Sequence, residues 1–128
     1  MSTSRSPRRR AVIAVALDAF LVLTFAVIGR SSHSEALDPS GLFGTAWPFL
    51  VGLLLGWLVT RGWRAPMSLV RTGLGVWGLT VGGGLLLRAV SGQGTAPGFV
   101  IVTTVVLALF LLGWRAVARW LPVHPKRG

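Results

Sequence analysis

Few residues in this chain could carry charge chemistry, and they do not lie where a soluble enzyme would place them. Asp18 is the most informative, because it stands inside a long apolar run. An ionised carboxylate in the middle of a membrane helix costs about 2.5 kcal/mol or more unless it is paired, hydrated or protonated. Helical spacing puts Asp18, Val22, Phe25, Gly29 and His33 on one stripe, so Asp18 faces neighbouring helices rather than lipid. Two chemistries are open to it: a proton or ligand site, or a buried polar contact that locks helix packing. At about 1.5 Å of rise per residue, Asp18 lies roughly 10 Å inside the membrane, a level that Trp77 and Thr80 of a later apolar run also reach. Arg115, at the inner end of the last run, is a rival partner, while Arg88 lies about 14 Å further out.

Thr80, Gly84 and Arg88 recur at i, i+4 and share a face with Trp77, giving that run a polar stripe that could wall a small cavity. The plainer reading is that Arg88 snorkels to headgroups and Thr80 bonds its own backbone. On the other side of the membrane, Arg30 and His33 are candidate external-face residues, followed by Glu35 and Asp38. Their spacing matches no familiar metal site, so neither a metal nor a cofactor is expected. No nucleophile and base converge at one depth, and His33 would lie about 22 Å from Asp18 along a continuous helix, so no catalytic residue is assigned and no enzyme is expected. The absence of Cys removes thiolate chemistry and disulfides. Gly82, Gly83 and Gly84 lack the strand before and the Lys-Ser/Thr after that a phosphate loop needs.

The elements that must position these residues are apolar all round. Of 128 residues, 52% are hydrophobic and 12% charged, too little polar material to cover a water-soluble globule. Four long apolar stretches predict spans over about 11–29, 46–60, 72–90 and 99–114, each near the length of about 20 residues that crosses a bilayer. The second is short and could be re-entrant, although Trp47 and Trp57 suit the two interfacial belts. The first exceeds a signal-peptide core and ends at Gly29-Arg30 without a small-x-small cleavage site, so it is expected to remain as a helix. The fold class is therefore all-α: a polytopic membrane protein, a four-transmembrane-helix bundle. Residues 1–10 form a basic N-terminus, 11–115 the membrane domain and 116–128 a basic tail.

Eleven of the thirteen Lys and Arg residues fall at the N-terminus, in the connection between spans two and three, or in the tail; only Arg30 and Arg88 fall on the other side. Cytoplasmic flanks hold such an excess, so both termini are expected inside, in a bacterial plasma membrane. The net charge of +10 sits beside helix ends rather than on a soluble face, which points to anionic lipid headgroups and not to nucleic acid. Arg outnumbers Lys twelve to one, and Asn and Tyr are absent, the usage expected of a high-GC bacterial genome. Gly52 and Gly56 form one GxxxG pair and Gly78 and Gly82 another, read as close packing of spans two and three and, more weakly, as an oligomer interface.

The ordered set of Asp18, Gly29-Arg30 with His33, Pro48-Phe49, Trp77-x-x-Thr80, Arg88 and Trp114-Arg115 resembles the short bacterial and archaeal membrane proteins grouped as domain of unknown function 3054. That resemblance covers about residues 11–115 and implies a four-helix membrane protein without an assigned activity. The chain is also similar to the small multidrug exporters in length, helix number and an acidic residue in the first helix. Asp18 stands where that family has a glutamate, the charge bias disfavours inverted pairs, and its other motifs are missing. Two functions follow. One is an interaction or accessory bundle, alone, as a homo-oligomer or with a membrane-protein partner. The other is proton-coupled transport of a small solute by an oligomer, with Asp18 as proton carrier.

Overall fold

The computed structural model describes residues 7–32, 35 and 37–120. Helix α1 (Pro7–Ser32) and α2 (Pro39–Thr60) are followed by a short 3-10 turn, Gly62–Arg64. A π-helical turn, Leu69–Gly73, leads into α3 (Leu74–Val90). The last span is α4 (Pro97–Leu107), a second π turn (Ala108–Leu112) and α5 (Gly113–Trp120) in one continuous run. All four spans are long and apolar enough to cross a membrane. No strand occurs among the described residues.

α2 crosses in full. Its 22 residues begin at Pro39, seven positions before the sequence-based boundary at 46. Asp38, which reads as a loop residue, caps the helix by accepting from the Gly41 amide (3.3 Å), with Pro39 in the first turn. The Ser40 hydroxyl (2.6 Å) and then the Gly41 amide hold the Asp38 carboxyl below the usual carboxylate range. This contribution to stability is present above that usual range and is lost as pH falls through the lowered value.

α1 flanks α2 and the fourth span, and α3 flanks the same two, so α1 and α3 face each other across the diagonal of the bundle. The core holds Val22, Phe25, Phe49, Leu53, Val76, Leu107 and Leu111. Apolar side chains that point outward, among them Phe20, Leu54, Leu58, Ile101 and Leu109, form the lipid-facing belt.

Thr103, Leu107, Leu111 and Arg115 are all fully buried. At 3.6 residues per turn, four positions spaced i, i+4 would fan over about 120°. The wider π turn at Ala108–Leu112 resets that drift and brings Arg115 back to the inward face. The turn at Leu69–Gly73 lies at the start of its span and carries the buried Thr72 into α3, where Val76, Thr80 and Gly84 are buried.

α2 and α3 form the closest contact in the bundle. A Cβ on Gly52 would stand 2.7 Å from the Leu79 carbonyl oxygen, and one on Gly56 would stand 2.8 Å from the Val76 Cα. Both neighbours are backbone atoms and cannot swing aside. Gly78 and Gly82 do not share this interface: both are exposed, and a Cβ there meets nothing within 4 Å. The face of α3 that meets α2 carries Val76, Leu79, Thr80, Gly83 and Gly84, and positions 78 and 82 lie on another side of the helix. Gly56→Val is therefore expected to cost about 1–3 kcal/mol by overpacking, read as a lower unfolding midpoint in detergent, with Gly78→Val unchanged. A Gly56→Val protein as stable as its parent would mean that the helices are not held this close.

Candidate polar centre

Asp18 and Arg115 lie in the half of the bundle where α1 begins and α5 ends, and both are 0% exposed. The pair is bidentate: Nη1 donates to Oδ1 at 3.0 Å and Nη2 to Oδ2 at 2.8 Å. Two indoles complete the carboxylate's surroundings. Trp57 Nε1 donates to Oδ2 at 2.9 Å, and Trp114 Nε1 donates to Oδ1 at 2.7 Å. Each carboxylate oxygen thus accepts two charge-assisted hydrogen bonds, from two helices besides its own: α2 through Trp57, and α5 through Trp114 and Arg115.

The remaining reach of Arg115 is spent on backbone. Its Nε donates to the Pro66 carbonyl at 2.9 Å, and Nη1 also donates to the Leu111 carbonyl at 2.9 Å. Leu111 belongs to the π turn. Pro66 belongs to the connection between α2 and α3, which the Thr72 hydroxyl ties to Ala65 (2.5 Å). Arg115 also stacks 4.6 Å from the centre of the Trp114 ring. The connection folds under the bundle as a floor. Gly62 lies so close beneath the Trp57 ring that a Cβ there would meet Cδ2 at 2.9 Å, which keeps the indole aimed at Asp18.

The structure does not bring Trp77, Thr80 or Arg88 to Asp18. The Trp77 indole donates to the Thr104 carbonyl of α4 at 3.1 Å. The Thr80 hydroxyl does not bond its own backbone; it is buried and has no partner among the described residues, as is Thr103. Trp77 and Thr80 are carried by α3, which stands diagonally across the bundle from α1. Trp57 and Trp114 are the partners that sequence reasoning missed. Depth arithmetic did not find these neighbours. Each follows a glycine near the inner end of its helix, but by helical rise from the sequence-based span ends Trp57 lies only about 4.5 Å inside and Trp114 at the boundary, so depth alone would not have chosen them.

At the opposite end, Arg88 does not extend away from the bundle. It folds over Phe99, 4.1 Å from the ring centre, and donates to Gly94 and Gln93 of the α3–α4 connection. Arg30 donates to Thr45 at 3.0 Å and pairs with Glu35 at 3.4 Å. Arg30 and Arg88 line one cavity; His33 lies outside the described residues.

A family model described as "Protein of unknown function (DUF3054)" matches residues 15–118. The chain belongs to that family. The match spans the four helices and contains Asp18, Trp57, Trp114 and Arg115, as well as Arg30 and Arg88. No curated protein and no solved structure matches the chain.

Proposed function

We propose that this protein is a non-catalytic interaction or accessory bundle of the bacterial plasma membrane, with both termini in the cytoplasm, in which Asp18 and Arg115 form a structural lock. One observation carries the reading: the Asp18 carboxylate is fully buried and all of its acceptor capacity faces donors of the chain itself. A proton carrier needs a path by which protons arrive and leave. Neither the cavity between α1 and α4 nor the shallow one along Leu69, Leu74 and Leu109 reaches Asp18. The positive-inside excess supports the orientation, and it places the basic ends against anionic headgroups of the cytoplasmic leaflet. The alternative, proton-coupled transport of a small solute by an oligomer, requires that this centre open.

A hydrophobic carbodiimide, which modifies intramembrane carboxyl groups that it can reach, distinguishes the two. With the protein in lipid, Asp18 is expected to stay unmodified by peptide mass spectrometry while exposed Glu35 and Asp38 react with a water-soluble carbodiimide. Labelling of Asp18 that a solute suppresses would establish an accessible carrier site and remove the lock reading.

A further inference from the structure

The end of the bundle away from Asp18 holds a cavity of about 640 Å³ between α1 and α4, within the roughly 300–1,000 Å³ of small-ligand sites. Phe25 and Phe99 form its base, with Ile28, Val102 and Val106 along its sides. Val102 is 54% exposed and Ile28 is 46% exposed on the lipid-facing belt, so the cavity opens sideways toward acyl chains. From Phe99 to Val106 it follows α4 for about 10 Å by helical rise, a third of the ~30 Å hydrocarbon thickness.

Its polar end is cationic. Arg88 donates from Nε to the Gly94 carbonyl (3.0 Å), from Nη1 to Gln93 Oε1 (3.1 Å) and from Nη2 to the Gln93 carbonyl (3.4 Å). Gly94 presents its carbonyl from a backbone φ of +90°, which side-chain-bearing residues rarely adopt. A guanidinium has five N–H groups, so this fixed Arg88 keeps two for another acceptor. The Arg30 side chain is only 17% exposed and is held by Thr45 at 3.0 Å, but its Glu35 partner is 54% exposed, so at that side of the guanidinium a stronger anion can compete with the carboxylate. Two guanidiniums and one carboxylate line the mouth, while the Asp38 carboxylate, also near Arg30, stands outside it, so the spare donors are those of Arg88.

We infer that this groove binds one anionic phospholipid taken laterally from the bilayer. Its phosphate sits between Arg30 and Arg88, where planar guanidinium groups suit phosphate oxygens, and the upper part of one acyl chain lies on Phe25, Phe99 and Val102. A soluble anion would use the cations but would have no need of an apolar groove that opens on lipid.

The test uses the full chain in phosphatidylcholine nanodiscs with a minor fraction of phosphatidylglycerol, followed by native mass spectrometry of retained lipid. Phosphatidylglycerol is expected to be retained one per protomer and enriched about tenfold over its share, equivalent to about 1.4 kcal/mol of preference. Arg88→Gln should abolish the enrichment. Val102→Trp, which fills the groove and leaves every charge in place, should abolish retention of lipid altogether. Arg71→Gln, at the other end, should change neither. Either of the first two variants decides alone if the other fails to fold. Equal retention of both lipids by the unmodified chain, or enrichment that survives both variants, overturns the inference and assigns lipid binding to the basic ends. Displacement of the lipid by glycerol phosphate at comparable concentration also overturns it, in favour of a soluble anion.

Discussion

Arg115→Met is expected to destabilise the protein by about 3–5 kcal/mol, the cost of stranding one member of a buried ion pair. The methionine fills most of the side-chain volume, yet Asp18 remains at zero exposure with two indole donors and no counter-charge. Asp18→Leu should be of similar size, because it leaves a guanidinium with no carboxylate and two indole N–H groups without acceptors. The double variant Asp18→Leu, Arg115→Met removes both charges and should lose much less than the two single losses added together. The measurement is a double-mutant cycle on unfolding in detergent or bicelles. Simple additivity would sink the lock.

An exchanged pair, Asp18→Arg with Arg115→Asp, extends the same argument and should not rescue the fold. Two indoles donate to position 18, while the Pro66 and Leu111 carbonyls accept at position 115. Reversing the charges would set donors against donors and acceptors against acceptors. Each end of the pair is matched to its surroundings, not only to the other.

Trp57→Phe and Trp114→Phe are each expected to cost about 1.5–3 kcal/mol, the range for a hydrogen bond to a charged group. Phenylalanine keeps an aromatic ring in place, so the difference lies chiefly in the lost N–H donor. Trp114 has a second role, since its ring also lies against the Arg115 guanidinium. Trp63, 45% exposed on the connection that follows α2, is the control and should tolerate phenylalanine within about 0.5 kcal/mol. Unfolding midpoints of the three variants decide the matter. If Trp57→Phe and Trp114→Phe behave like Trp63→Phe, the indoles are spectators and Arg115 alone balances the acid.

How much of the site was legible follows from these residues. Asp18 stood out in one dimension, because a carboxylate within an apolar run is visible without any fold. Arg115 was within reach as a partner because it ends the fourth run, and charge pairing needs only a shared depth. Trp57 was legible as an interfacial aromatic, but nothing in that assignment says which way its N–H points. The two glycine pairs show the same limit. Gly52 and Gly56 meet α3, whereas Gly78 and Gly82 face away from it, and no spacing rule separates a GxxxG pair that packs from one that does not.

By itself the sequence determined the solvent and the class of fold. Apolar runs near the thickness of a bilayer leave no other way to satisfy so many backbone groups than four helices, and the charge bias predicts how they insert. Depth along each helix was set only to within a turn or two, because helical rise is the same for every residue but the span ends are not fixed by pattern. The azimuth of each side chain was decided only by the tertiary structure. Ring order put α3 across the diagonal from α1, so Trp77 turns to the Thr104 carbonyl of α4 and not to Asp18. The π turn at Ala108–Leu112 then rotated the end of the fourth span to deliver Trp114 and Arg115. Both depend on how whole helices pack, a sum over many weak contacts that no local pattern encodes.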